Sequence, residues 1–415
     1  MNKKLTIGLI GFGCVGSGLY EVLHQSKLID ATIKRIVVKD RSKQRSLPQN
    51  YFSYDIDEVL NDEEINVVVE LINDSNDAFF IVKRALELGK DVVSANKKLI
   101  AERLPELLEI AHRMGASFLY EGAVAGAIPI IRNLEEYYNN DSLTSVEGIV
   151  NGTTNYILTQ SNSGIGYDEA LSAAQELGFA ELDPTLDVDG FDAKFKLTIL
   201  LKHAFGLSVK PEVIFNCGIR TISENAIAFA QEKGYRIKLF AKAVKLDEKV
   251  VAFVAPVFVD SSHFAFDVNN EFNAVIVEGL FADRQLFLGK GAGSYPTASA
   301  VLSDISALKF DYQYEYKKSY GEQELTLTDE VLVRIYLGAQ ELEALVLIDF
   351  QKVDSTFISE SYCYRTGWVL FSALKKINFN ERPEVSLVLL PDDFVLLDTA
   401  DREEEYVSPL RTTAL

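Results

Sequence analysis

The chain has 415 residues and a formal net charge of −20, from 61 acidic and 41 basic side chains. This length suggests two or three domains. The acidic balance argues against nucleic acid as a partner, because binding nucleic acid requires clustered Lys and Arg. The three cysteines, Cys14, Cys217 and Cys363, lie far apart and form neither a disulfide framework nor a zinc pattern. A reducing, cytoplasmic location fits this composition.

The first apolar run, Leu5–Leu19, begins like a secretory signal because Lys3 and Lys4 precede it. Its glycines make it a poor apolar helix, and no small-residue cleavage pattern follows it. No other stretch approaches the roughly 20 apolar residues that cross a bilayer. A soluble protein with no membrane partner is therefore expected.

From Leu5 to Val124, apolar runs alternate with helical patterns. The runs are hydrophobic throughout instead of at every second residue, which is typical of parallel strands covered by helices on both faces. This predicts a Rossmann-type, doubly wound α/β domain over residues 1–135. The predicted strands are Leu5–Ile10, Ile33–Val38, Ile65–Ile72, Asp91–Ala95 and Ser117–Tyr120.

A glycine-rich turn joins the first strand to an amphipathic helix. Its first glycine allows a tight turn, the second lets the backbone approach a pyrophosphate, and the third lets helix and strand pack closely. The pattern alone is weak, but in this position it predicts a dinucleotide site. The turn consists of Gly11, Phe12, Gly13, Cys14, Val15 and Gly16.

The second strand leads into Lys39-Asp40-Arg41, where domains of this kind select their cofactor. Asp40 would bind the ribose hydroxyls of NAD, whereas Lys39 and Arg41, together with Lys43, would accommodate the additional phosphate of NADP. The same segment is equally well interpreted as a solvated charged turn. The sequence therefore leaves the choice between NAD and NADP open.

Lys97 follows the fourth predicted strand. Ligands bind at the carboxyl ends of the strands in open parallel sheets, so either Lys97 or Lys98 is expected to face a cleft. Paired lysines at the start of a helix are more often solvated, and this alternative stays open on these residues alone.

After about residue 135 the pattern changes to α+β. Residues 136–318 are predicted to form a substrate-binding domain, in which residues near 289–310 return to the cofactor domain. Residues 319–415 are predicted to form a small C-terminal α+β module without catalytic residues. In that module we expect apolar segments at Glu330–Tyr336 and Glu343–Ile348, a helix near Gly367–Ile377 and a strand at Val385–Leu390.

The turn Asn151-Gly152-Thr153 places small hydrogen-bonding groups after a predicted strand. Such a turn could simply cap the following helix. It is also suited to holding a zwitterion, because its amide, hydroxyl and backbone N–H groups converge without bulk.

Asp192 and Lys196 stand four residues apart, so on a helix they share a face and can pair. A surface salt bridge is the ordinary interpretation. Apolar neighbours after Lys196 indicate a partly buried helix instead, and burial can shift the pKa of a lysine towards acid/base chemistry.

Taken together, the motifs of the first 310 or so residues closely resemble homoserine dehydrogenase, the oxidoreductase that interconverts homoserine and aspartate 4-semialdehyde with NAD or NADP. The matching segments are Gly11–Gly16, Val69–Ile72, Ala95–Lys97, Tyr120–Glu121, Val124–Pro129, Gly148–Tyr156, Glu181–Lys196, Gly234–Leu239 and Gly291–Ser299.

The resemblance implies roles for residues at the matching positions. Lys196 would be the catalytic acid/base and Lys97 a second lysine in the cleft. Glu181 and Asp192 would bind homoserine, with Glu181 meeting its ammonium group. The turn residues Asn151, Gly152 and Thr153 would complete the substrate site. Gly291 and Gly293 would return to the cofactor.

Further expectations come from the family. A structural monovalent cation, most simply sodium, would be held by Glu121 and by backbone oxygens of Val124, Gly126 and Ile128, and oxygen ligands suit such an ion. The family is typically dimeric and serves threonine and methionine synthesis. Many bacterial members carry a regulatory ACT domain, and the C-terminal module has a compatible length but no recognisable copy of its usual turn.

One departure from the family affects the cofactor site. Where members often carry a Gly-Gly pair, this chain has Asn73-Asp74-Ser75, so Asn73 and Ser75 are expected near the nicotinamide ribose.

Two rival functions remain at this point. An acylating semialdehyde dehydrogenase would need a nucleophilic cysteine in the cleft, and none of the three cysteines lies in a recognisable nucleophile motif. A nucleotide-sensing protein would keep the glycines but would have no reason to keep Glu181, Asp192 and Lys196 together.

Overall fold

The computed structural model describes residues 4–26, 29–320 and 325–397. The first part contains a parallel sheet, as the uninterrupted apolar runs predict. Its strands are β1 (Leu5–Ile10), β2 (Ala31–Val37), β3 (Phe52–Ser53), β4 (Val67–Glu70), β5 (Asp91–Ser94) and β6 (Phe118–Leu119). Their order is β3-β2-β1-β4-β5-β6, with every neighbouring pair parallel. This is the strand order of dinucleotide-binding folds, so the predicted doubly wound sheet is confirmed.

Helices cover this sheet, and side-chain caps define where two of them begin. Asp74 accepts the amides of Asn76 and Asp77, and Asn96 accepts the amide of Leu99. The helices are α1 (Cys14–Gln25), α2 (Asp57–Leu60), α3 (Ser75–Glu87), α4 (Lys97–Met114) and α5 (Ile130–Glu135).

Within the described ranges, a second, mostly antiparallel sheet has eleven strands. They are β7 (Leu143–Ile149), β8 (Phe215–Asn216), β9 (Arg236–Leu246), β10 (Lys249–Val259), β11 (Phe272–Gly279), β12 (Asp283–Lys290), β13 (Thr326–Leu327), β14 (Val331–Ala339), β15 (Phe350–Ile358), β16 (Cys363–Leu370) and β17 (Val385–Leu396). Nine follow the order β12-β11-β7-β9-β10-β17-β14-β16-β15, and β8 and β13 pair with β10.

The helices of this second part are α6 (Gly152–Asn162), α7 (Tyr167–Glu176), α8 (Thr185–Val188), α9 (Phe191–Phe205), α10 (Glu224–Glu232), α11 (Ser294–Leu308) and α12 (Phe371–Leu374). Helix α11 packs against α1, so this segment returns to the cofactor domain. Among the described residues, no helix is long and apolar enough to cross a membrane.

The C-terminal strands extend the second sheet, because β17 pairs with β10 through Leu389 and Val257. The predicted helix near Gly367–Ile377 is wrong. Its first residues end β16, where Trp368 pairs with Arg334 of β14, and only the four residues of α12 are helical. Cross-strand pairing outweighs the local helical pattern here. An ACT-like arrangement is not confirmed, and the domain boundary near residue 318 stays a prediction.

Helix α9 lies at the junction of the two parts. All of its residues except Phe191 and Lys202 are buried. The helix packs against α4 of the first part and against β9 and β10 of the second sheet. The side chains near its beginning are therefore held between the cofactor-binding sheet and the second sheet.

Candidate active site

The glycine turn between β1 and α1 presents open backbone. Gly11 has a φ of 99°, and a Cβ there would lie 2.5 Å from the carbonyl oxygen of Leu71. A Cβ on Gly16 would clash with the carbonyl oxygen of Gly11, whereas one on Gly13 would meet no heavy atom within 4 Å. The first amides of α1 have no intrahelical acceptor and no side-chain cap. This geometry fits a pyrophosphate group.

A cavity of about 580 Å³ lies beside this turn. Its volume is within the range of small-molecule and cofactor sites. Of the residues expected to bind the cofactor, it is lined by Gly11, Phe12, Gly13, Lys39, Asp40 and Asn73. Arg41 and Ser75 lie outside this lining. Arg41 stacks over the Tyr54 ring, and Ser75 is the first residue of α3. Cys14, Val15 and Gly16 form the first turn of α1.

Charges of both signs border the cavity. The carboxylate of Asp40 accepts the amide and the hydroxyl of Ser42, both at 2.7 Å, and these bonds lower its pKa. Lys39 Nζ lies 3.3 Å from the carboxylate of Asp77. Arg45 lies over the Phe52 ring, and its buried Nε has no hydrogen-bond partner within the described chain.

A buried hydrogen-bond network fixes the start of α4. Glu70, at the end of β4, accepts the Ser94 hydroxyl at 2.6 Å and the Ile72 amide at 2.7 Å. Burial raises the pKa of Glu70 to about 7. Asn96 caps α4 and donates to the Ile72 carbonyl at 3.0 Å. The next residue, Lys97, is thereby placed at the carboxyl end of the sheet.

Lys97, Asp192 and Lys196 meet at the junction of the two parts. One carboxylate oxygen of Asp192 lies 2.7 Å from Lys97 Nζ, and the other lies 2.7 Å from Lys196 Nζ. Lys196 also donates to the Val150 carbonyl at 2.6 Å. Asp192 and Lys196 are buried, whereas 43% of the Lys97 side chain is exposed. The predicted pair on α9 is present, and it includes the cleft lysine.

The electrostatics separate the two lysines. Burial lowers the pKa of Lys196, and Asp192 only partly offsets this effect. The charge of Asp192 raises the pKa of Lys97. Burial alone would raise the pKa of Asp192, but the two lysines hold it well below its usual range. Lys97 therefore stays protonated, whereas Lys196 loses its proton at a lower pH than an ordinary lysine does.

The turn before α6 both caps the helix and contacts the lysine group. Asn151 Oδ1 accepts the Thr154 amide, and Asn151 Nδ2 donates to Asp192 at 2.9 Å and to Asp187 at 2.7 Å. The capping interpretation of this turn is confirmed, and its role in holding a zwitterion stays a prediction. Gly152 has no room for a side chain, because a Cβ would lie 2.7 Å from the carbonyl oxygen of Glu271.

Glu181 lies on an exposed loop before α8. The Thr153 hydroxyl donates to the Phe179 carbonyl at 2.6 Å and so tethers this loop to α6. The Glu181 charge contributes to the raised pKa of Lys97. Glu181 is therefore near the lysine group, although the structure gives it no direct contact with Asp192 or Lys196.

The loop at Gly291 and Gly293 reaches the glycine turn. Gly293 has a φ of 117° and precedes α11, whose first residue, Ser294, donates its hydroxyl to the Cys14 carbonyl at 2.7 Å. A Cβ on Gly126 would lie 2.6 Å from the carbonyl group of Gly291. The predicted return of this loop to the cofactor domain is thus present.

The segment predicted to hold a cation is buried and sharply turned. Glu121 accepts the Ile131 and Arg132 amides, both at 2.9 Å, at the beginning of α5. Burial, followed by the charge of Asp304, raises the pKa of Glu121 to about 8. Ala125 and Gly126 have positive φ, and the Ile128 carbonyl of this segment accepts the Ile130 amide at 2.8 Å. The donors are oxygen atoms, which fit a hard cation.

None of the cysteines is placed as a cleft nucleophile. Cys217 and Cys363 are buried in the second sheet region, and burial raises the pKa of Cys217 to about 12. Cys14 is exposed within the glycine turn. This arrangement disfavours the acylating rival.

Several residues of the site were missed from the sequence, among them Asp187, Arg45 and Tyr54. Asp187 is tied to Asn151, and burial, followed by the charge of Asp192, raises its pKa. Arg45 and Tyr54 line the cofactor cavity. The acidic run around Asp187 was a usable signal, whereas nothing local marks Tyr54.

Comparisons with known proteins agree with this geometry. The family model described as homoserine dehydrogenase matches residues 129–306, and the model described as its NAD-binding domain matches residues 11–121. A homoserine dehydrogenase of Bacillus subtilis is 40% identical over 316 residues, which cover 74% of this chain and 73% of the relative.

Solved structures extend the similarity to the C-terminal strands. A homoserine dehydrogenase from Thiobacillus denitrificans superposes with a TM-score of 0.82 at 30% identity, covering 94% of this chain and 99% of that chain. A hyperthermophilic archaeal homoserine dehydrogenase, solved in complex with NADPH, has a TM-score of 0.65 at 26% identity, covering 75% of this chain and 99% of that chain. The chain belongs to the homoserine dehydrogenase family.

Proposed function

We infer that this chain catalyses the NAD(P)-dependent interconversion of L-homoserine and L-aspartate 4-semialdehyde. Membership of the family supports the reaction. The observation that carries the inference is the group of Lys97, Asp192 and Lys196, which joins the cofactor-binding part to the second sheet. This group provides a buried amine, that of Lys196, with a lowered pKa at the junction of the two parts.

When bound, NAD(P)H supplies the hydride that reduces the aldehyde carbon. Lys196 exchanges a proton with the substrate oxygen. In the reductive direction its ammonium form stabilises the developing negative charge on that oxygen and then donates a proton. In the oxidative direction its neutral amine accepts the hydroxyl proton. The Val150 carbonyl and Asp192 hold the amine in place.

The remaining polar groups bind and orient the substrate. Lys97 stays protonated beside Asp192 and adds positive potential to the cleft. We assign Glu181 to the ammonium group of the amino acid, because it is exposed near the cleft and opposite in charge. Asn151, Gly152 and Thr153 form the wall between this loop and α9.

The cofactor is NAD or NADP, and the glycine turn and its cavity would hold it. We propose that NADP is accepted, because Lys39, Lys43 and Arg45 line the cavity and Ser42 already occupies an oxygen of Asp40. Initial rates with NADH and NADPH test this choice. A ratio strongly favouring NADH would contradict it.

We also propose a sodium ion in the turn formed by Glu121, Val124, Gly126 and Ile128. The buried Glu121 side chain and the sharply turned backbone at Ala125 and Gly126 support this site. Melting temperatures in sodium chloride and in choline chloride at equal ionic strength test it. Equal melting temperatures would contradict specific sodium binding.

The assembly and location are further proposals. The family relationship supports a homodimer formed through the substrate domain of residues 136–318, and the composition supports a cytoplasmic location. Sedimentation equilibrium tests the first, and cell fractionation tests the second.

The reaction itself is tested by incubating the protein with aspartate semialdehyde and NADPH or NADH and following the absorbance of the reduced cofactor. Consumption without added phosphate, with homoserine as product, is expected. An acylating dehydrogenase would instead oxidise the semialdehyde, forming reduced cofactor and requiring phosphate. A nucleotide sensor would consume no reduced cofactor.

A further inference from the structure

A buried hydrogen-bonded cluster lies at the opposite end of α9 from Asp192. His203, in the last turn, is fully buried. Its Nδ1 lies 2.6 Å from Glu135 Oε1, and its Nε2 lies 2.9 Å from the Tyr120 hydroxyl. That hydroxyl lies 2.8 Å from the hydroxyl of Tyr316. The proposed reaction uses none of these four residues, which we call the His203 cluster.

The chemistry of the groups fixes the direction of the hydrogen bonds. Burial lowers the pKa of His203, so the imidazole is neutral and has one donor and one acceptor. An ionised Glu135 can only accept, and it therefore receives the Nδ1 proton. Nε2 must then accept from Tyr120, whose oxygen accepts from Tyr316. Every polar atom in this chain of hydrogen bonds has a partner of the right kind.

The cluster joins four separate segments. His203 belongs to α9, while Tyr120 follows β6 and Glu135 ends α5. Tyr316 belongs to the segment 312–320, which runs from the end of α11 towards the C-terminal strands. The Tyr316 amide donates to Glu135 at 2.8 Å.

The same segment also contacts the end of α9 directly. The Lys318 ammonium donates to the carbonyls of Leu134 and His203. A Cβ on Gly206, which ends α9, would clash with the Lys318 carbonyl oxygen. The segment is thus packed onto both the helix and the cofactor-binding part.

Helix α9 is therefore attached to the cofactor-binding part at both ends. Asp192 contacts Lys97 at the beginning, and His203 contacts Tyr120 and Glu135 at the end. Lys196 and His203 are seven residues apart, about two turns and roughly 10 Å along one face. A buried helix that is held at two points cannot slide along its axis without breaking the hydrogen bonds or the ion pair at one of these points.

We propose that His203 is a positioning residue for Lys196, and that the Tyr316 segment holds it in place. The cluster sets the axial position of α9 against the cofactor-binding sheet and so the distance between the Lys196 amine and the substrate oxygen. A displacement of about 1 Å at a reacting group can cost about 100-fold in rate. The proposal rests on the proposed function, because it concerns the same lysine.

The test compares His203→Leu, His203→Gln and Tyr316→Phe with the wild type. Leu removes the imidazole that joins Glu135 to Tyr120, so kcat should fall roughly 10- to 100-fold while KM for NAD(P)H changes little. Gln can donate to Glu135 and accept from Tyr120, so it should restore most of kcat. Tyr316→Phe removes only the outermost hydroxyl and should have a smaller effect in the same direction.

The matched control is Tyr336→Phe. Tyr336 is a fully buried tyrosine of β14 whose hydroxyl lies 2.8 Å from that of Tyr362, so its hydrogen bond does not involve α9. The Tyr336→Phe variant should lower the melting temperature about as much as Tyr316→Phe does, without lowering kcat. The proposal would be overturned if Tyr336→Phe and Tyr316→Phe lost kcat equally. Normal kcat in a folded His203→Leu variant would also overturn it. If His203→Leu does not fold, Tyr316→Phe and His203→Gln decide. An inactive wild type would instead contradict the proposed function.

Discussion

At the scale of single residues, Lys196 and Lys194 are two buried lysines on α9 with different surroundings. Lys196 contacts Asp192 and the Val150 carbonyl, whereas Lys194 donates to Asn216 at 2.7 Å. Only the first lies in the cleft. This makes Lys194 a control for the loss of a buried ammonium group from the same helix.

Replacement of Lys196 by Met should lower kcat roughly 100- to 10,000-fold, because it removes the acid/base group but keeps the apolar stem. Cofactor affinity, measured by fluorescence titration with NADPH, should change little. Lys194→Met should cost stability with kcat nearly unchanged. Comparable kcat values for the two variants would contradict the assignment of Lys196.

The pKa of Lys196 also predicts opposite pH profiles for the two directions. Burial lowers this pKa, so the ammonium form is lost as pH rises through the lowered value. Aldehyde reduction should therefore decline on the alkaline side, whereas homoserine oxidation should increase. Asp192 favours the charged form, so Asp192→Asn should move the alkaline limb of reduction to lower pH. The measurement is kcat as a function of pH in both directions. If the alkaline limb of reduction stayed at the same pH in Asp192→Asn, this would contradict the electrostatic coupling of Asp192 to Lys196.

At the scale of elements, two glycines of the glycine turn are needed for different reasons. We expect Gly11 to be required for folding and Gly13 to be required for cofactor binding. Gly11 has positive φ and no room for a Cβ, whereas Gly13 has a φ of −90° and open space. Gly11→Ala should destabilise the fold by about 1–3 kcal/mol. Gly13→Ala should leave the melting temperature nearly unchanged but raise KM for the cofactor, because its methyl group occupies the pyrophosphate position.

Thermal melts and cofactor kinetics on both glycine variants check this separation. The variants serve as controls for each other. If Gly13→Ala lowered the melting temperature as much as Gly11→Ala and left KM unchanged, the assignment of open backbone to cofactor binding would be wrong.

The elements also show which parts of the fold and site could be predicted. The pairing of Asp192 with Lys196 follows from helical spacing, and the glycine turn follows from its position after a strand. The contact between Asp192 and Lys97 depends on how two parts of the chain pack, and no local pattern encodes it. Trp368 shows the same limit, because its strand is specified by pairing with Arg334.

At the scale of the whole molecule, the C-terminal strands share a core with the central ones. One buried cluster includes Phe240 and Phe253 of the central strands together with Val333 and Leu387 of the C-terminal strands. The segment 312–320 adds contacts to α9. Since neither side of this core is complete alone, the two regions should unfold together.

The single tryptophan, Trp368, lies in β16 and reports on the C-terminal strands. In urea, its fluorescence transition should coincide with the loss of far-ultraviolet circular dichroism and of enzyme activity. Trp368→Phe is the control, since it should remove the fluorescence signal and keep the circular dichroism transition. If the Trp368 transition instead came at lower urea while activity persisted, the C-terminal strands would be an independent module, and the shared core would not couple them to α9.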